Sequence, residues 1–202
     1  MTVESAVKPR RSGNRQRLID AALDAIAEAG FAGASVSEII ARAGLSRGMI
    51  HLHFNGKDAL IAEAARHAGA QYYAALDRHL NAAGDSPAER IRAIVTGDLS
   101  AEVMSRRTVG IWYELRGAAR TSPAIAAHSD TRGGRLEMVL TDAFAALEPN
   151  GSRQSAQDAM RGTIALLEGT WTDFMLHPEG YDVAAAERVI FRFLRALYPG
   201  AF

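Results

Sequence analysis

The sequence predicts an all-α protein of nine helices, and three observations carry that prediction. Apolar side chains recur at helical spacing over long runs. Those runs open on small polar residues, twice with proline at the first helical position, and close on glycine or proline. No alternating apolar-polar run competes as a strand.

Residues 1–13 hold Pro9, Gly13 and a basic cluster of Lys8, Arg10 and Arg11 with few bulky apolar side chains, and read as a mobile arm. Leu18, Ala21, Ala22, Ala25, Ile26 and Ala29 then repeat at i, i+3, i+4 before Gly30, which places a first helix at 14–29. Ser35-Val36-Ser37-Glu38 has the form of a capping box and opens a second helix, 36–43. Gly44 ends it, Leu45 offers an apolar plug, and Ser46 is expected to cap a short third helix, 47–53. Asn55-Gly56 breaks the chain before a long amphipathic stretch, 57–82.

Beyond it, Ser86-Pro87-Ala88-Glu89 combines a cap, a first-position proline and a capping box. Helices follow at 86–98, 101–119, 123–147, 153–176 and 183–197, with Ser122, Ser152 and Asp182 as caps and Pro199 past the last end. The reading divides into the arm 1–13, a helix-turn-helix module 14–56 and a larger bundle 57–202. No repeat of 20–50 residues and no low-complexity tract interrupts it.

With 202 residues, 48% of them hydrophobic, and no cysteine, the chain can bury a sizeable core without disulfides or cysteine-held metal. Its 23 Lys and Arg balance its 23 Asp and Glu, so overall charge argues for neither nucleic acid nor membrane. The balance hides an asymmetry. Residues 1–57 carry eight basic against five acidic side chains, and residues 58–202 carry the compensating acidic excess. No run of 18 apolar residues could span a bilayer, and MTVESAVKPRRSG lacks the apolar segment of a signal peptide, so a soluble, cytoplasmic protein without membrane contact is expected.

A helix, a glycine-containing turn and a second short helix form the unit that lays one helix in the DNA major groove. The turn Ala43-Gly44-Leu45 alone would suit any helical bundle. However, helix 47–53 is too short to be stable by itself, carries Arg47, His51 and His53, and follows a basic arm, which suits a helix laid against a phosphate backbone.

The segment 14–60, and within it RLIDAALDAIAEAGFAGASVSEIIARAGLSRGMIHLHFNGKDAL, resembles the DNA-binding domain of the TetR family of transcriptional regulators. The matching features are Ala43-Gly44-Leu45-Ser46-Arg47-Gly48, then His51-Leu52-His53-Phe54, then Lys57. The resemblance implies that Ser35, Ser37 and Ser46 meet phosphates at helix starts. It implies that Arg47 contacts a guanine edge or a phosphate, that Gly48 lets the helix approach DNA closely, and that Lys57 neutralises a phosphate. His51 and His53 complete the DNA-binding set. Ile50 and Phe54 are expected to face inward onto Leu18, Ile26, Val36 and Ile39. Three residues depart from the family pattern: His51 stands where tyrosine is usual, Leu52 replaces a polar contact by an apolar one, and Ile40 replaces an alanine.

From Arg107 to Pro199 the chain resembles the regulatory domain of the choline-responsive betaine-synthesis (BetI-type) repressors. It does so through Ile111-Trp112-Tyr113-Glu114-Leu115, Leu166-Leu167-Glu168-Gly169-Thr170-Trp171 and the ending Phe191-Arg192-Phe193-Leu194. That resemblance implies a homodimer built by the last two helices, with Ala156, Ala159, Met160, Thr163, Leu167 and Thr170 on one face and Val183, Ala186, Ile190, Phe193 and Leu197 opposite. It also implies a small-molecule effector, with Trp112, Tyr113, Trp171 and Phe174 as aromatic candidates and Glu168 as a charge for a quaternary ammonium. A tryptophan on a helix serves a core equally well.

The sequence thus reads as a ligand-responsive repressor on a palindromic operator in double-stranded DNA, with no cofactor. The alternatives are an all-α enzyme or a structural adaptor. Glu63 and His67, four apart, lack further ligands at a recognisable spacing and read as a solvated link, and His51 and His53 point to different sides of their helix. No nucleophile elbow, phosphate loop or dinucleotide fingerprint is present.

Overall fold

The structure is a computed structural model that describes residues 7–129, 134–148 and 150–202, and the side chains from residue 13 onward. Ten helices and no strand occur among the described residues: α1 Val7–Gly33, α2 Val36–Ala43, α3 Gly48–His53, α4 Lys57–Ala82, α5 Pro87–Asp98, α6 Arg106–Ala119, α7 Pro123–Ser129, α8 Arg135–Leu147, α9 Arg153–Leu176 and α10 Val183–Leu197.

Four boundaries differ from expectation. The arm expected over 1–13 is already helical from Val7; residues 1–6, and the side chains of Lys8, Arg10 and Arg11, lie outside the described residues. Gly30 kinks α1 (φ 72°, ψ 172°), and helical turns continue to Gly33. The helix placed at 101–119 begins at Arg106, because Ser105 Oγ accepts the backbone N–H of Thr108 (3.1 Å) and caps it there. The helix placed at 123–147 is two helices, α7 and α8, with Gly134 extended before the second, which makes ten instead of nine.

The chain divides into two compact units, residues 1–71 with 110–129, and 72–109 with 130–202. The division falls inside α4 and α6.

In the first unit, α1 packs on α2 and α3, and Ile111 and Leu115 of α6 and Ile125 of α7 enter the same core as Leu18, Ile26, Ile39 and Ile50. Phe54 is buried and Val36 half-buried, as expected of the inward face. Gly44 adopts the left-handed conformation (φ 59°), and its N–H closes the end of α2. Arg17 Nη2 donates to the carbonyl of Ala43 (2.6 Å), so α1 satisfies an end carbonyl of α2 and fixes the turn. On the outer side, Arg42 bonds Glu38 (2.6 Å) and Glu28 (2.8 Å), and the hydrogen bond between Arg42 and Glu28 is the first cause that raises the guanidinium pKa and lowers that of the Glu28 carboxyl.

In the second unit, α8 packs on α5 and α9, and α10 on α5 and α9. Its core includes Ile91, Ile94, Leu140, Phe144, Ile164, Phe191 and Leu194. Ser152 and Asp182 accept the N–H groups of Ser155 and Ala185, as their positions predict. Among the described residues no helix is long and apolar enough to cross a membrane.

Candidate nucleic-acid interface

The outer surface of α2 and α3 is built from residues that the core does not use. Ile39 and Ile50 point inward, and this turns Ser35, Ser37, Ser46, Arg47, Gly48, His51 and Leu52 outward, all exposed. Ser35 Oγ accepts the N–H of Glu38 (3.2 Å), which leaves its hydroxyl proton able to donate outward. The expected reciprocal bond of the capping box is replaced, because the Glu38 carboxylate takes Arg42. Ser46 does not cap α3 with its side chain either. The helix opens through backbone bonds from Met49 to Ser46 and from Ile50 to Arg47, with Arg47 at the helix edge in αR geometry.

His53 and Lys57 are half-buried. The His53 ring lies tilted against Phe54, and the Lys57 ammonium stands 6.0 Å from the Phe31 ring centre. Arg15 also stands against Phe54, its guanidinium carbon 5.0 Å from the ring centre, and bonds Glu63 (2.6 Å). Glu63 also takes Arg66, and these bonds, that from Arg66 being the stronger influence, pull its carboxyl down to about 2 against the opposing effect of burial. The Glu63 and His67 pair weighed as metal ligands is thus spent on Arg15, Arg66 and Gln16, whose Nε2 lies 3.2 Å from His67 Nε2.

The regulatory candidates fall in both units. On α6, in the first unit, Trp112 is buried and Tyr113 half-buried, with the Arg116 guanidinium 6.0 Å over the Tyr113 ring. In the second unit Trp171 is buried on α9, Glu168 is half-buried one turn before it, and Phe174 meets Tyr181 edge-on at 5.5 Å. The sequence reading missed what holds Trp171. Its Nε1–H donates to Asp98 Oδ2 (2.8 Å), while the Tyr72 hydroxyl donates to Asp98 Oδ1 (2.7 Å) and the two rings meet nearly perpendicular at 6.1 Å. Asp98 is only 3% exposed. Burial, then the Asp98 charge, pushes the Tyr72 hydroxyl well above its usual pKa of 10.

Residues 18–64, which carry this outward surface, match the family described as bacterial regulatory proteins of the tetR family. Residues 87–199 match the C-terminal domain of BetI-type transcriptional repressors. The chain belongs to the TetR family. Its relatives include the HTH-type transcriptional regulator BetI of Burkholderia thailandensis, 32% identical over 87% of this chain and 89% of that protein. Another is BetI of Paraburkholderia phytofirmans, 31% identical over 89% and 90%. Among solved structures, a transcriptional regulator of Pseudomonas aeruginosa PAO1 superimposes with a TM-score of 0.79 at 28% identity over 93% of this chain and 91% of the other. This TetR-family member is therefore a DNA-binding transcriptional repressor with a ligand-binding domain, and family membership sets the enzyme and adaptor readings aside.

Proposed function

We propose that the chain is a homodimeric repressor that reads a palindromic operator with α3 and releases it when a small cation, a quaternary ammonium such as choline, binds the regulatory domain. The observation that carries the DNA reading is the outward face of α2 and α3, where hydroxyls, Arg47, His51 and bare backbone at Gly48 are exposed while Ile39 and Ile50 anchor both helices. Arg47 suits a guanine edge, and Ser35, Ser37, Ser46, His53 and Lys57 suit the flanking phosphates.

Support for a dimer comes from a groove of about 580 Å³ on α9 and α10, whose apolar lining includes Ala165, Leu166, Ala186 and Val189. The small-residue face named above for that role is buried inside the subunit instead: Ala156, Ala159, Met160, Thr163, Leu167 and Thr170 are each at most 8% exposed. A two-fold dimer presents two α3 helices and calls for two matching half-sites.

Support for a cationic effector is the chemistry around Trp171. An indole fixed by Asp98, the Tyr72 ring set against it and Glu168 on the same helix combine aromatic faces with carboxylates in one unit. Such a ligand relieves repression only by its preference for the form that binds DNA poorly. The test uses the full-length protein and labelled duplexes from the DNA upstream of its gene, titrated with choline, glycine betaine and the neutral isostere 3,3-dimethylbutanol. Choline should lower duplex affinity and bind more tightly than the isostere by calorimetry. Equal affinity, or no binding, removes the cationic effector and leaves the repressor.

A further inference from the structure

Leu52, 53% exposed, is the single strongly exposed large apolar side chain of the first unit among the described residues; the others, such as Met138, Leu176 and Val189, lie in the second. It sits on α3 beside His51, and Gly48, His51 and Leu52 follow one another at i, i+3, i+4 on the face that Ile50 turns outward. Gly48 adds a second, independent oddity. A Cβ there would meet nothing within 4 Å, and its φ is not positive, so neither packing nor backbone conformation within the chain calls for glycine. Glycine also weakens a helix that is already only six residues long. A bare patch of backbone beside an unburied leucine fits the close approach of an external surface with an apolar feature.

In the major groove only thymine carries such a feature, its C5-methyl beside O4; the adenine, guanine and cytosine edges offer hydrogen-bonding groups and no methyl on which a leucine could pack. We propose that Leu52 reads thymine, packing its methyl groups on the C5-methyl of one thymine in each half-site while the backbone at Gly48 lies close to the neighbouring step. The inference rests on the assignment of α3 as the reading helix. It assigns the Leu52 position a role in sequence choice, where a polar side chain would donate or accept a hydrogen bond.

The test takes duplexes that the full-length protein recovers from a random-sequence pool, and replaces their thymines one at a time by deoxyuridine, which lacks only the methyl. Wild-type protein should lose about fourfold in affinity at one thymine per half-site, the worth of one buried methyl. Leu52→Ala should lose that discrimination and Leu52→Met should keep it, and since the side chain is exposed both variants should fold. If Arg47→Ala changes the selected sequence while Leu52→Ala leaves the thymine-to-uracil profile as in wild type, the thymine contact is wrong and α3 stands. If neither substitution changes the selected sequence, the assignment of α3 falls as well.

Discussion

Glu114 Oε2, on α6, accepts the backbone N–H of Phe31 at 2.6 Å, one residue past the kink that Gly30 makes in α1. The kink frees an N–H that regular helix would have used, and a carboxylate from a distant part of the chain takes it up. Because α1 also carries Arg17, which fixes the end of α2, this bond ties α6 to the frame that presents α3. Ile111 and Leu115 bury the adjacent face of α6 in the same core.

Glu114→Gln should keep the bond with a neutral acceptor, whereas Glu114→Ala should lose about 1 kcal/mol of stability. Gly30→Ala should cost more. Its φ of 72° strains any L side chain, and a Cβ there would stand 3.3 Å from Glu114 Oε2. Urea midpoints of the three variants check the order; a neutral Gly30→Ala would refute the kink.

Trp171→Phe keeps an aromatic ring on α9 but removes the donor to Asp98. A buried carboxylate that loses one partner should cost about 1–3 kcal/mol, lowering Tm by roughly 2–4 °C per kcal/mol for a chain of this size. Tyr72→Phe should act alike through the other oxygen. Thermal melts check both, and because the two donors share one acceptor, the double variant should depart from additivity.

Stability should fall on acidification between about pH 4.5 and 2 through Glu63. Its carboxyl titrates near 2 in the folded chain against 4.5 ordinarily, so the unfolded chain takes up the proton first. The stabilising effect is complete above pH 4.5 and is lost as pH falls through the folded value. Since Arg15 and Arg66 are partly exposed, solvent screening reduces the effect to about 1 kcal/mol. Glu63→Gln should flatten that limb of the pH–stability curve relative to wild type.

Helices with local signals at both ends were legible in the sequence: α2, α4, α9 and α10 lie at the expected residues, because their caps and stop residues act within a few positions. Where expectation failed, a signal was present but outweighed by periodicity. Gly133-Gly134 stood inside the run read as one helix, and Ser105 stood unread as the cap of α6. Asp98 was similarly visible as a carboxylate closing the apolar stripe Ile91, Ile94 and Val95, but its partners Tyr72 and Trp171 are 26 and 73 residues away, and no local pattern encodes such a pairing. The outward side chains of α3 could be read because burial of Ile50 fixes their direction. A face for self-association could not, because a stripe of small residues suits a subunit core and an interface equally.

That ambiguity makes the last prediction a choice between two substitutions. Ala159 is 3% exposed on α9, so Ala159→Asp buries an unpaired charge in the subunit and should unfold it. Val189, on α10, is 56% exposed and lines the groove beside Ala186, so Val189→Glu should leave the subunit folded and, in the proposed dimer, place two like charges near the two-fold axis. Circular dichroism melts and sedimentation velocity separate the cases. Val189→Glu should sediment as a folded monomer and bind a full operator far more weakly than wild type, since each α3 then acts alone. A Val189→Glu protein that remains dimeric with full affinity would move the interface away from α9 and α10.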